Sequence, residues 1–307
     1  MSDGALVARM ADGVAGLPED QWDALTGGGN PFMTHAFLSA LEDSGSVGEG
    51  TGWLPTPLVL EDAGRLVAAL PAYLKGHSQG EYVFDHAWAD AWHRAGGRYY
   101  PKLQIAAPFT PASGPRILSR EPALAPHLLR FAEKFAEANA LSSIHATFVE
   151  PAQVPLFEAS GWLIRHDIQF HWQNRGYGSF DDFLGDLASR KRRAIRKERA
   201  AAQEGVVIRR LSGADIRPEH WDAFWVFYQD TGSRKWGSPY LTRAAFDLLI
   251  PHIDDVFNGS ADFKLNTQAT AEAERFRLAA APAVEIPEAA AIGGEDEVAV
   301  VVVGRHV

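Results

Sequence analysis

Phe180, Phe183, Leu184 and Leu187 recur at the three- and four-residue intervals that place side chains on one face of a helix. Ser179 followed by Asp182 has capping-box spacing, and Gly205 offers a stop. Ile195 and Lys191 fall on the same stripe if one helix runs through, and 206–211 then reads as a strand. The same logic predicts the rest of the chain. A short helix is expected over 18–25, ended by Gly27-Gly28-Gly29-Asn30-Pro31. A second, capped by Thr34, carries Phe37, Leu38 and Leu41 and stops near Gly45. Residues 58–60 and 66–74 read as paired strands joined by Glu61-Asp62-Ala63-Gly64. A long helix over 127–140 lies between two strand-like runs, the second at 143–148, and another strand is expected around 168–172. Trp221, Phe224, Trp225 and Tyr228 form the core stripe of a helix over 220–228, and a last helix is expected over 242–250. Alternating strands and helices argue for an α/β or α+β architecture.

The chain has 307 residues, 46% of them hydrophobic and 22% charged, so it reads as a soluble globular protein of about two domains. It has no cysteine, which excludes disulfides, thiolate catalysis and cysteine metal sites. Residues 1–13 lack the pattern of a secretory signal, and no apolar run approaches the ~20 residues that span a bilayer. A cytoplasmic location is expected. All nine Trp and all seven Tyr precede Asp255, whereas 256–307 is rich in Ala, Glu and Val. The expected organisation is a first domain over 1–165, the start of a second over 166–255, and an atypical tail over 256–307. Much of that tail is expected to be poorly ordered, with the run Val298 to Val303 taking a strand partner if any part does.

Charge changes this picture at one place. Residues 189–199 hold seven Lys/Arg in eleven positions of a chain whose formal net charge is -10. Such a block repels itself unless it is solvated or meets an anion. Three readings stay open: a solvated helix face, broken near Ser189 so that Lys191 does not point inward, a phosphate cradle in which Lys191, Arg192, Arg193 and Arg196 act as donors, or nucleic-acid binding. A lysine on the apolar stripe, as Lys191 would be in an unbroken helix, is costly unless it snorkels or meets an anion.

Residues 81–110 mix aromatic and ionisable side chains, among them Asp85, His86, Trp88, Asp90, His93, Tyr99, Tyr100 and Lys102. Acyl transfer to an amine needs a base for the ammonium and donors for the tetrahedral oxyanion. Asp85 or Asp90 suits the base and Tyr99 or Tyr100 an acid, with Asp85, Trp88, Asp90, Tyr99 and Tyr100 lining an acceptor pocket. The spacing of His86, Asp90 and His93 would align them on one helix face, but the plainer reading is a hydrogen-bonded loop and helix, and no metal is expected. Lys235-Trp236 offers a cation beside an aromatic plane. The glycine-rich stretch 45–52 lacks a P-loop lysine, and no Gly-x-Ser-x-Gly elbow occurs.

Several separated stretches resemble one family. They are Asn30-Pro31-Phe32 with His35-Ala36-Phe37-Leu38, Tyr73-Leu74-Lys75-Gly76-His77-Ser78, and Gly80-Glu81-Tyr82-Val83-Phe84-Asp85. The series continues with Trp88-Ala89-Asp90-Ala91, Tyr99-Tyr100-Pro101-Lys102-Leu103, Pro108-Phe109-Thr110-Pro111 and Gly114-Pro115-Arg116. Gln169-Phe170-His171-Trp172, Ser179-Phe180-Asp181-Asp182-Phe183-Leu184, Ser189-Arg190-Lys191-Arg192 and Lys235-Trp236-Gly237 complete it. Over residues 20–255 the chain is similar to the FemAB-like proteins of peptidoglycan biosynthesis or recognition, within the GNAT-like acyltransferase superfamily. The resemblance implies tandem GNAT-like domains, the second incomplete here. It implies transfer of an acyl or aminoacyl group to an amine of a cell-envelope precursor, with acetyl-CoA or aminoacyl-tRNA as donor and no tightly bound cofactor. The alternative is a non-catalytic module that binds phosphate-bearing precursors or RNA, tRNA included.

Overall fold

The structure is a computed structural model that describes residues 6–83, 85–170, 172, 174–207, 215–234, 237, 239–249 and the backbone of 297–306. In chain order the elements are β1 (Val7–Met10), α1 (Glu19–Thr26), α2 (His35–Asp43), β2 (Trp53–Pro55), β3 (Leu58–Asp62), β4 (Arg65–Leu70) and β5 (Ala72–Lys75). Next come α3 (His86–Arg94), β6 (Lys102–Ile105), β7 (Leu118–Ser119), α4 (Ala125–Ala138), β8 (Ser143–Val149), α5 (Val154–Ala159) and β9 (Leu163–Phe170). The rest are α6 (Phe180–Gly185), α7 (Ser189–Gln203), α8 (Pro218–Arg234), α9 (Arg243–Leu249) and β10 (Glu297–His306). This is the mixed α/β class that the alternating pattern predicts.

The described residues form two compact units, one of 6–168 with 237–249 and 299–306, the other of 169–234 with 297–298. In the first unit β1-β3-β4-β7 make one sheet, and β2-β5-β6-β8-β10-β9 make the other. The expected strand 66–74 changes sheet at Pro71, which separates β4 from β5 and has no N–H to give to a ladder. Its carbonyl instead accepts from the Ala106 amide.

Period-two alternation explains why 58–60 is apolar without a break. Leu58 and Leu60 pack with Leu128, Leu129 and Ala132 of α4, while Val59 joins Trp22, Leu38 and Leu41 of α1 and α2. The strand is covered on both faces. Trp22 is fully buried, and its indole donates to the Met33 carbonyl at 2.9 Å.

Thr34 caps α2 as expected. Its hydroxyl accepts from the Phe37 amide at 3.3 Å and donates to the Pro31 carbonyl at 2.8 Å. Thr34→Ala should therefore lower stability by about 1 kcal/mol in urea unfolding. An unchanged midpoint would mean that water replaces the cap.

The second unit corrects one expectation. The stripe from Phe180 does not continue to Ile195, because the chain turns at 186–188 and starts α7 anew at Ser189. That break puts Lys191 in solvent rather than on a buried stripe, and α7 has no buried residue. Val206 and Val207 are not in a strand, and the remainder of the expected strand lies outside the described residues. So does the expected disorder over 256–296. The valine run pairs: β10 lies antiparallel to β8, with Val301 opposite Val149 and His306 opposite Ser143.

Candidate active site

Trp53, Lys75 and Lys102 stand in one row across β2, β5 and β6, each opposite the next. Both lysines are fully buried. Like charges opposite each other on neighbouring strands repel, so the row needs anions close by. The loop 76–85 supplies them. Lys102 Nζ donates to Glu81 Oε2 at 2.8 Å, Asp85 Oδ2 at 2.7 Å and Ser78 Oγ at 3.0 Å. Lys75 Nζ sits 3.6 Å from the Trp53 ring centroid, donates to the Gln79 carbonyl at 3.2 Å, and lies 3.9 Å from Glu81 Oε1.

Gly80 lets this loop close over the row. Its φ is +78°, and a Cβ there would come within 2.7 Å of the Phe109 ring and 3.2 Å of the Trp53 indole nitrogen. The Trp53 indole in turn donates to the Gln79 carbonyl at 3.0 Å. Beside Trp53 opens a cavity of about 210 Å³, lined also by His77, Phe109 and Tyr240. Phe109 and Tyr240 stack there, with ring centroids 5.0 Å apart.

Two half-buried phenols complete the network. Tyr99 donates to Asp85 Oδ2 at 2.8 Å, and the Tyr100 hydroxyl lies 2.8 Å from Ser78 Oγ. His145 Nδ1 is 3.5 Å from Lys102 Nζ. Among the described residues, Glu81 Oε1 and Asp85 Oδ1 are buried without a hydrogen-bond partner.

Burial sets most of the proton affinities. It pulls Lys75 down to about 7, against the opposing pull of Glu81. Burial also raises Glu81, with Lys102 holding part of the shift back. Burial alone would raise Asp85 too, but Lys102 and the hydroxyls around it hold it below the ordinary value. Tyr99 is pushed above the usual phenol range by burial and then by Asp85, and Tyr100 by burial.

Of the residues singled out from sequence, the fold brings Asp85, Tyr99 and Tyr100 together. Asp90 and Trp88 stand exposed on α3, a helix with no buried residue, and take no part in the Lys102 network. Among the described residues no three His, Asp or Glu side chains group as metal ligands. Lys191, Arg192, Arg193 and Arg196 lie on α7 in the second unit. Arg196 pairs with Asp181 at 2.9 Å, and Arg193 Nε donates to the Ser189 carbonyl at 3.3 Å. Lys235 and Trp236 lie outside the described residues. Lys75, Ser78, Glu81 and His145 are the members that spacing does not reveal. Their one signal is a lysine at the end of β5 and another at the start of β6, each next to apolar strand residues.

Two solved structures are similar in part. FemX is 15% identical with a TM-score of 0.38, over 79% of this chain and 53% of that one. An apo-form mutant of agmatine N-acetyltransferase is 14% identical with a TM-score of 0.34, over 52% of this chain and 84% of that one. No curated protein sequence matches significantly. The FemAB-like family, described as peptidoglycan biosynthesis/recognition, matches residues 13–258, which is most of the chain. The protein belongs to the FemAB-like family.

Proposed function

We propose that this chain moves an acyl or aminoacyl group onto an amine at the network around Lys102. The observation that carries this reading is a hydrogen-bonded path from the half-buried phenols of Tyr99 and Tyr100 to buried Lys102, Asp85 and Glu81. An amine arrives as an ammonium and must lose a proton before its lone pair attacks. The N–C bond forms, the donor's C–S or C–O bond breaks, and the leaving sulfur or oxygen takes up a proton.

The tetrahedral oxyanion needs donors that stay protonated, and raised pKa values suit Tyr99 and Tyr100 to that role. Asp85, held low, orients Tyr99 rather than taking a proton. Glu81 and Lys75 have affinities shifted toward neutral pH, as a base working there requires. Asp90 and Trp88, exposed on α3, belong to this reading as acceptor contacts.

Family membership supports a cell-envelope precursor as the acceptor and a cytoplasmic reaction. Acetyl-CoA and aminoacyl-tRNA are the two candidate donors. Both carry phosphates, and Lys191, Arg192, Arg193 and Arg196 of the second unit are proposed by themselves as an anion-binding face. Lys235 and Trp236 belong to the same proposal as substrate contacts.

Incubation with each donor and an amine-bearing murein precursor tests the reading. Turnover should appear with one donor. Tyr100→Phe should then lower kcat about ten- to a hundredfold with little change in KM. Tight binding without turnover would favour the non-catalytic module instead.

A further inference from the structure

A cavity of about 510 Å³ opens at the far end of the β6–β8 pair from Lys102, lined among others by Gly29, Asn30, Gly114, Arg120, Glu150 and Gln153. Gly114 bridges to Val149, the last residue of β8, and its carbonyl accepts from the Glu150 amide at 3.0 Å. Lys102 lies at the strands' other end, so at ~3.3 Å per residue the cavity is roughly 20 Å from the network described above. It is a separate site.

Its neutral polar walls are already in use. Asn30 donates to the Ser113 carbonyl at 3.3 Å and accepts from the Phe32 amide at 3.0 Å. Gln153 Oε1 accepts from the amides of Arg116 at 2.7 Å and Ile117 at 3.0 Å. The charged groups are not used up in this way. Arg120 spends only Nε, on the Ala24 carbonyl at 2.6 Å. Its two terminal nitrogens, and both carboxylate oxygens of Glu150, have no hydrogen-bond partner among the described residues.

Nor do the two charges pair with each other, although they line one cavity. Glu150 is half-buried, and its carboxylate helps to balance Arg116, which is fully buried and donates to the carbonyls of Thr147 and Ala112. A partly desolvated carboxylate and an open guanidinium fork, separated across one polar cavity, are complementary to a ligand that carries both opposite charges. The volume falls in the range of small-molecule sites.

We propose that this cavity binds a small zwitterion of about dipeptide size, Glu150 holding its ammonium and Arg120 its carboxylate. This site does not depend on the transfer reaction proposed above.

Calorimetric titration of the full chain with alanyl-alanine, N-acetyl-alanyl-alanine and alanyl-alanine amide tests it. The zwitterion should bind at least about tenfold more tightly than either blocked form. Arg120→Gln, at an exposed position, should remove the preference over the amide while leaving the preference over the N-acetyl form. Gly29→Leu should abolish binding without lowering the melting temperature, since a Cβ at Gly29 meets nothing within 4 Å and its φ is outside the left-handed region. Absence of heat with alanyl-alanine, equal binding of all three compounds, or binding that survives both substitutions would overturn the proposal.

Discussion

Lys102→Met is expected to lower the stability of the first unit by about 3–5 kcal/mol, the usual effect of removing one partner from a buried ion cluster. Methionine fills much of the same volume, so the loss comes from charge rather than from a hole. Without the ammonium, Glu81 and Asp85 keep their burial and lose the cation 2.8 and 2.7 Å away. Lys75 does not replace it, lying 3.9 Å from Glu81 and drawn toward the neutral form by burial. Urea unfolding followed by tryptophan fluorescence measures the change, because Trp53 sits against this cluster. Adding Glu81→Gln and Asp85→Asn to Lys102→Met should return much of the lost stability, since two buried carboxylates are then no longer left without a cation. A loss below about 1 kcal/mol for the single variant would show that the carboxylates are solvated or protonated already.

The parts of the fold written in local pattern were legible in the sequence, and those written in long-range pairing were not. Thr34, the helix α4 and the hairpin of β3 and β4 each rest on residues a few positions apart, so local pattern finds them. The Lys102 network draws on β5, the loop 76–85, β6 and His145 of β8, which meet only through sheet register. The sequence thus points to Asp85, Tyr99, Tyr100 and Lys102 as one segment's chemistry but not to Lys75, Glu81 or His145. Asp90 illustrates the opposite case. It has the right chemistry and lies five residues from Asp85, yet α3 turns it into solvent. Lys191 shows the limit of spacing: the same letters fit an unbroken stripe or a helix that restarts near Ser189, and the backbone makes its turn at 186–188. The cavity of Arg120 and Glu150 gave no sequence signal, because its charges come from segments thirty residues apart and its floor from the backbone of Gly114.

Stability should rise with pH from about 7 towards 10, and Lys75 is the reason. In the unfolded chain this lysine titrates near its ordinary value of 10.5, whereas in the folded protein burial brings it to about 7. Between those values the unfolded state holds a proton that the folded state lacks, so raising the pH favours folding. Below about 7 both states are protonated, and the folded state carries the full penalty of a buried ammonium. At ~1.4 kcal/mol per pH unit the complete effect has an upper bound of about 5 kcal/mol, so a gain of a few kcal/mol is expected between pH 7 and 10. The window closes near pH 10, where the phenols act in the other direction. Tyr73, Tyr99 and Tyr100 have folded pKa values above the ordinary one, so the unfolded chain loses those protons first and stability falls. Urea midpoints at half-unit steps from pH 6.5 to 10 would trace the curve for the protein and for Lys75→Met. The substitution removes the titrating group and should flatten the rise. Parallel curves for the two proteins would mean that Lys75 stays charged in the folded state, which would also remove it as a base in the proposed transfer.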